Sequence, residues 1–321
     1  RAIQKNIKLS SDINWIASKK SAEKIWITDA LAEEFYPVPD FTKPKVDEGI
    51  HRIAATLGKI ATLEEISCSP SQPLELELTI LVPIKEYDSQ QNAQFSKKLN
   101  SFLKRYYFLD RPMSITLKPS LKIYPEGLGG LLLGKKSETT ELIIMLGHRN
   151  SSYLIFKKVA YTKGNSTLLG FHTLLKYFCE KAIGQEENKA TLLTLWSARN
   201  DVTQLKRLIK SHDDDYANNE YQRILAAYEN SRNQLWLSIR EWLKKELKDI
   251  QFDNLNFMGG TSEFLKPLIL NDNLFKSINP SFVGEIYQEK ILNEIRFPQG
   301  IEENFKDNAL RFVDVYGVFK K

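Results

Sequence analysis

Two short strand-like runs that stop at glycine constrain this chain more than any other feature. Residues 142–146 (LIIML) carry no polar side chain and end at Gly147. Residues 255–258 (LNFM) end at Gly259-Gly260 and run straight into a helix start over 262–268. Short runs of this kind read as strands inside a covered sheet. A third run, 74–82 (LELELTILV), alternates strictly, then turns wholly apolar, and is ended by Pro83.

Helical spacing fills the intervals. Residues 50–63 put Ile50, Ile53, Ala54 and Leu57 on one face. Asp88 is placed to cap a helix whose stripe is Phe95, Leu99, Phe102, Leu103 and Tyr106. Short β-like pieces follow at 114–117 and 121–124, then Pro125-Glu126-Gly127 and the apolar run 128–133. Residues 152–156 and 159–161 read as a hairpin joined by Lys157-Lys158, and 170–182 as a helix. A long striped helical stretch spans about 197–248, with Leu235, Ile239, Trp242 and Leu243 on its buried face. Pro37, Pro39 and Pro44 make an extended loop of the region around them. Strands mixed with helices in both halves give an α/β architecture, and no internal repeat is evident.

Composition narrows the function classes. A chain of 321 residues suggests two domains or one large divided unit. The net charge of +5, from 45 basic and 40 acidic residues, is close to neutral for this size and gives no sign of direct nucleic-acid binding. The basic residues of 97–105 and 244–248 read as solvated helix faces. Two distant cysteines, Cys68 and Cys179, fit a reduced, cytoplasmic chain. No apolar run approaches the ~20 residues of a membrane span, so no membrane partner is expected, and no signal peptide is visible.

Three junctions have the composition of a binding site. Gly259-Gly260-Thr261 ends a strand and opens a helix. Glycine there allows a positive φ and close approach of a ligand, and the helix start offers N–H groups to phosphate. A tight strand–helix turn needs the same residues. Gly147-His148-Arg149-Asn150-Ser151 has the glycine and hydroxyl composition of a turn that cradles phosphate through its amides, with Arg149 adding charge. It equally suits a plain hairpin turn. Glu126 suits either a helix cap or the orientation of an attacking water.

The order of these junctions resembles the actin-like ATPase superfamily, in particular its plasmid-segregation (ParM-type) branch. Residues 78–83 with Lys85-Glu86-Tyr87 resemble that family's "TGLP…Y" segment. Residues 123–127 resemble its "V-x-PE" connection, and 142–152 its second phosphate loop, "IDIGxRTTD". Residues 163–175, with Gly170-Phe171, resemble the next "GG…L" helix. Residues 256–265 resemble the adenosine motif "LxGGGAxLL", and 308–317 the C-terminal "FANVRG" helix. The match runs over about residues 75–320 in the family's order.

The resemblance implies an actin-like two-lobed α/β fold with a nucleotide cleft between lobes. It implies lobe I over 1–138, lobe II over 139–300, and a C-terminal helix, 301–321, returning to lobe I. It implies ATP with Mg2+ as cofactors, self-association into filaments, and a DNA-binding adaptor protein as partner. Glu126 would orient the attacking water. Gly147, His148, Arg149, Asn150, Ser151, Gly259, Gly260 and Thr261 would bind nucleotide.

The departures bear on chemistry. The family's first phosphate loop, "DxGxxxxK", would lie upstream of Arg1. The leading Asp of the second loop is Met145, its second Gly is His148, and its later Asp is Ser152. A thioether does not bind hard Mg2+ as a carboxylate does. The expectation is therefore nucleotide binding with weak or lost hydrolysis. A non-hydrolysing pseudo-actin scaffold is the alternative. An enzyme of the wider sugar-kinase and chaperone superfamily is a further one, without a substrate motif to support it.

Overall fold

The computed structural model describes residues 2–4, 15–18, 24–27, 45–118, 121–134, 138–275, 278–294 and 302–320. The loop expected around Pro37, Pro39 and Pro44 lies outside these. The chain forms two compact units, Arg1–Glu126 and Gly127–Lys321.

The first unit contains short strands β1 (Ala2–Gln4), β2 (Trp15–Ala17) and β3 (Lys24–Ile27), then helix α1 (Lys45–Leu63). Next come β4 (Leu74–Leu76), β5 (Thr79–Val82) and helix α2 (Ser89–Leu103). Strands β6 (Tyr106–Phe108), β7 (Arg111–Met113), β8 (Ile115–Leu117) and β9 (Lys122–Pro125) complete it. One sheet has the order β1-β3-β2-β6-β7, and β4-β8 and β5-β9 are separate parallel pairs.

Helix α2 starts where the sequence places it, because the Asp88 carboxylate accepts from the amides of Gln90 and Gln91 at 2.9 and 3.0 Å. Its buried stripe is Phe95, Leu99 and Leu103. These side chains pack with Ala54 of α1 and with Tyr106 and Phe108 of β6. Tyr106 belongs to β6 rather than to the helix. Lys97, Lys98, Lys104 and Arg105 are exposed, as solvated faces require.

The second unit opens with helix α3 (Leu128–Gly134), then strands β10 (Thr140–Leu146), β11 (Ser151–Lys157) and β12 (Ala160–Thr167). Helices α4 (Phe171–Lys181), α5 (Lys189–Ser197) and α6 (Asp214–Glu246) follow. Strand β13 (Asn254–Met258), helix α7 (Gly260–Leu270), strand β14 (Ser281–Phe282), and helices α8 (Val283–Glu294) and α9 (Glu302–Phe319) end the chain.

Its sheet has the order β12-β11-β10-β13-β14. Strands β10, β13 and β14 are parallel, and β10, β11 and β12 form an antiparallel meander. The apolar run of β10 is explained by this central place. Leu142, Ile143, Ile144 and Leu146 are all fully buried. Leu142, Ile144 and Leu146 join Phe171, Leu174 and Phe178 of α4 and Leu235, Ile239 and Leu243 of α6 in one core. Each such side chain contributes about 1.5–3 kcal/mol on burial.

The single helical stretch expected near 197–248 is in fact divided. Helix α5 ends at Ser197, a 3-10 turn spans Val202–Leu208, and α6 begins at Asp214. Two aspartates make the breaks. Asp201 accepts from the Thr203 amide, and Asp213 from the amides of Asp215 and Tyr216.

Helix α3 is capped from a distance. The buried Asp314 carboxylate of α9 accepts from the Gly127 and Gly129 amides, both at 2.6 Å. The two helices touch backbone to backbone. A Cβ added to Gly129 would lie 1.7 Å from the Asp314 carbonyl oxygen, and one added to Gly317 would lie 2.0 Å from the Gly129 oxygen.

Candidate functional site

Parallel strands β10 and β13 end side by side, with Met145 opposite Met258 in register. The chain turns away at Gly147 after β10 and at Gly259 after β13. Their turns therefore share one end of the sheet, the carboxyl end, where open α/β sheets hold their ligands.

The turn after β13 needs glycine. Gly259 has φ +87°, and a Cβ there would lie 2.4 Å from the Leu146 carbonyl oxygen. Gly260 opens α7, and a Cβ there would lie 3.0 Å from the Trp196 ring. Thr261 then donates its hydroxyl to the Gly147 carbonyl at 2.9 Å, tying the two turns together.

The turn after β10 is closed upon itself. The Gly147 amide donates to the Asn150 carbonyl at 2.9 Å. The Gly147 carbonyl also accepts from the Phe171 amide at 3.1 Å, and the His148 carbonyl from the His172 amide at 2.9 Å. The start of α4 is thus sewn to this turn. Gly170 makes room for the seam, since a Cβ there would lie 2.5 Å from the His148 oxygen. His148 is exposed, Arg149 and Asn150 are half-buried, and Ser151 is fully buried with its hydroxyl on the Leu169 carbonyl. The structure brings together Gly147, His148, Arg149, Asn150, Ser151, Gly259, Gly260 and Thr261. Glu126 is the last residue of the first unit, where its amide donates to the Val82 carbonyl at 2.8 Å.

The residues at the strand ends do not suit Mg2+. A Cβ on Gly127 would lie 3.3 Å from the Met145 sulfur, and one on Gly130 would lie 2.1 Å from the Met258 sulfur. Both thioethers are packed against glycines, Met145 at Gly127 just before α3 and Met258 at Gly130 within it. Soft sulfur here offers no hard oxygen to the ion. Among the described residues, no group of three or more His, Cys, Asp or Glu side chains is placed to hold a metal. Among them, too, no helix is long and apolar enough to cross a membrane.

Behind the Gly259-Gly260 turn lies a set of side chains that sequence reasoning missed. Phe264 packs edge-on to Phe171 at 5.0 Å and to Tyr228 at 5.9 Å, and stacks with Trp196 at 6.5 Å. The Arg199 guanidinium lies 4.0 Å over the Trp196 ring, and that of Arg232 lies 5.5 Å from the Phe264 ring. Glu263 is half-buried beside Gly284 and Glu285. Burial, then the neighbouring Glu285 carboxylate, pushes its pKa up to about 7, against the pull of Lys266 and Arg199. Burial likewise pushes the Tyr228 hydroxyl up to about 12. The sequence did offer Glu263 as an acidic residue in the first turn of α7, but nothing in it shows the residue's burial. Two lysines of the segment between α5 and α6 are engaged away from these turns. Lys210 bonds the Gly184 carbonyl, and Lys206 lies over the Tyr221 ring at 5.7 Å.

No protein-family model and no curated protein matches the chain in sequence. Solved structures do match it. The chain aligns over 96% of its length with 42% of a Bacillus thuringiensis ParM hybrid with ADP that contains two ParM mutants, at TM-score 0.51 and 12% identity. It is also similar to the archaeal actin homologue Ta0583, covering 100% of this chain and 91% of that one at TM-score 0.48 and 15% identity. The apo psk41 ParM protein is similar over 99% of this chain and 86% of that one, at TM-score 0.48 and 12% identity. Identities this low speak to fold alone, and the match to the ParM hybrid agrees on the fold with the order of motifs: the chain has the actin-like α/β fold.

Proposed function

We propose that this protein binds ATP at the carboxyl ends of β10 and β13 and self-associates into filaments. The observation that carries the reading is the joining of two glycine turns by one hydrogen bond, from the Thr261 hydroxyl to the Gly147 carbonyl. The joined turns and the first turn of α7 form the kind of glycine-rich backbone surface that receives a nucleotide. The ADP named with the Bacillus thuringiensis ParM hybrid supports nucleotide as the class of ligand.

In this reading Gly147, His148, Arg149, Asn150 and Ser151 face the phosphates, and Gly259, Gly260 and Thr261 the nucleoside. Glu126 orients a water. Hydrolysis is weak or lost because Met145 and Ser152 stand where the ParM-type pattern has acids. Head-to-tail stacking of subunits is a heterologous contact that does not close, and so extends into a filament. Such a filament serves DNA segregation through a DNA-binding adaptor, or acts as a cytoskeletal element in the cytoplasm. The division into 1–138, 139–300 and 301–321 belongs to this reading. The contact between α3 and α9 supports grouping 301–321 with the residues just before 138.

Sedimentation tests it. The protein should pellet with ATP or a non-hydrolysable analogue and stay in the supernatant without nucleotide. Failure to pellet with any nucleotide overturns the filament. The thioether packing of Met145 favours one second reading, a pseudo-actin that uses the fold as a binding or regulatory scaffold.

A further inference from the structure

Two exposed lysines of the first unit, Lys118 and Lys122, are ion-paired to Glu75 and Glu77. The cations of α2 are placed otherwise. Lys97, Lys98 and Arg105 line a cavity of about 590 Å³ where α2 meets α1, and among the described residues none of the three is ion-paired. Its volume is in the range of cavities that receive a ligand. Ser101 lies one helical turn from both Lys97 and Arg105, and its small side chain leaves the notch open. Ile50 of α1 and Phe102 of α2, both half-buried, give the wall carbon surface. Among the described residues, no acid lines it.

Charge of the opposite sign gathers in the second unit. Asp213, Asp214 and Asp215 stand at the start of α6, all exposed, and Tyr216 after them is 72% exposed. The Asp213 carboxylate is used as the cap. Those of Asp214 and Asp215 meet no cation among the described residues. The helix dipole favours acids in a first turn, but it gives no role to a tyrosine ring standing in solvent.

We propose that these two features meet between copies of this chain, with Asp214, Asp215 and Tyr216 of one copy seated in the Lys97–Arg105 cavity of the next. This rests on the filament reading above and names one of its contacts. The two carboxylates stand against Lys97, Lys98 and Arg105. The tyrosine ring lies on Ile50 and Phe102, since tyrosine joins an apolar body to a polar tip. Patches of opposite sign steer the encounter and fix its register. The contact joins unlike surfaces, so repeated from copy to copy it extends rather than closes. Nucleic acid suits the cavity less well. The Phe102 ring already stacks with Tyr106 at 5.8 Å and meets His51 at right angles at 5.3 Å, which leaves little platform for a base.

Sedimentation with ATP of charge-reversed full-length variants tests this. Lys97→Glu with Lys98→Glu should raise the concentration needed for pelleting at least about tenfold, and so should Asp214→Lys with Asp215→Lys. All four substitutions together should bring it back to within about threefold of the wild type, a recovery that damaged folding could not give. Tyr216→Ala should raise it about threefold or more, and Tyr216→Phe should leave it unchanged. Pelleting that neither reversal alters overturns the contact and leaves the filament standing. So does loss in only one reversal, or loss in both without recovery in the combination, which would give the cavity to another occupant. A wild type that pellets with no nucleotide at all overturns the filament reading, and this contact with it.

Discussion

The two turns at the carboxyl end of the second sheet begin alike and end differently. Both leave parallel strands that are in register at Met145 and Met258, and both start at glycine. After β10 the chain folds straight back as a hairpin. Its glycine has an ordinary φ, and a Cβ there would lie 3.1 Å from the Asn150 oxygen. After β13 the glycine is obligatory, and the chain enters an eleven-residue helix with a half-buried acid in its first turn. Met145 brings a thioether to the first turn where the ParM-type pattern has an acid, while the second keeps the backbone geometry that needs glycine. In the reading proposed above, binding and hydrolysis draw on different residues, so one can outlast the other.

The largest expected effect is on stability. Gly259→Ala should cost about 2–4 kcal/mol, because it adds positive-φ strain to a backbone clash. Gly147→Ala should cost about 1 kcal/mol or less. Chemical denaturation of both variants checks this, and equal losses would erase the contrast between the turns.

Restoring acids probes the first turn. The filament reading expects Met145→Asp with Ser152→Asp to strengthen Mg-dependent ATP binding about tenfold, or about 1.4 kcal/mol, and to raise turnover. The pseudo-actin reading expects no ATPase to appear.

Protons probe the second turn. The folded-state pKa of Glu263, about 7, lies above the ordinary carboxyl value of 4.5. The native state therefore holds a proton that the unfolded chain releases between these values. Stability from this group is complete below about pH 4.5 and falls as pH rises through 7. The expected loss is about 1–2 kcal/mol after allowance for solvent screening. Thermal melts across this range should show the decline in the wild type, and Glu263→Gln should flatten it.

The smallest effect concerns the link between the turns. Thr261→Val removes the hydroxyl that donates to Gly147 and should cost about 1 kcal/mol. The Gly147 carbonyl keeps its bond from the Phe171 amide, so the hairpin itself should hold.

Much of the fold was legible because it rests on local chemistry. Asp88 caps a helix with its own side chain, and the run 142–146 is apolar because both faces of β10 are covered. What escaped is long-range. Asp314 caps a helix nearly two hundred residues away in sequence, a pairing that no spacing rule announces. Glu263 looks like an ordinary helix-start acid until α8 is folded beside it. Met145 was readable as a lost acid, but Gly127 and Gly130, which receive the two sulfurs, were not readable as their partners. The break between α5 and α6 carried its signals in Asp201 and Asp213, which the stripe of apolar residues obscured.

The most direct test of the account is calorimetric titration of Mg-ATP into the wild-type chain and into Gly260→Val. The wild type should bind at micromolar strength, and the variant, whose added carbons push on Trp196, at least about tenfold more weakly. No heat of binding at millimolar nucleotide, or equal binding by the two proteins, would contradict a nucleotide site at these turns.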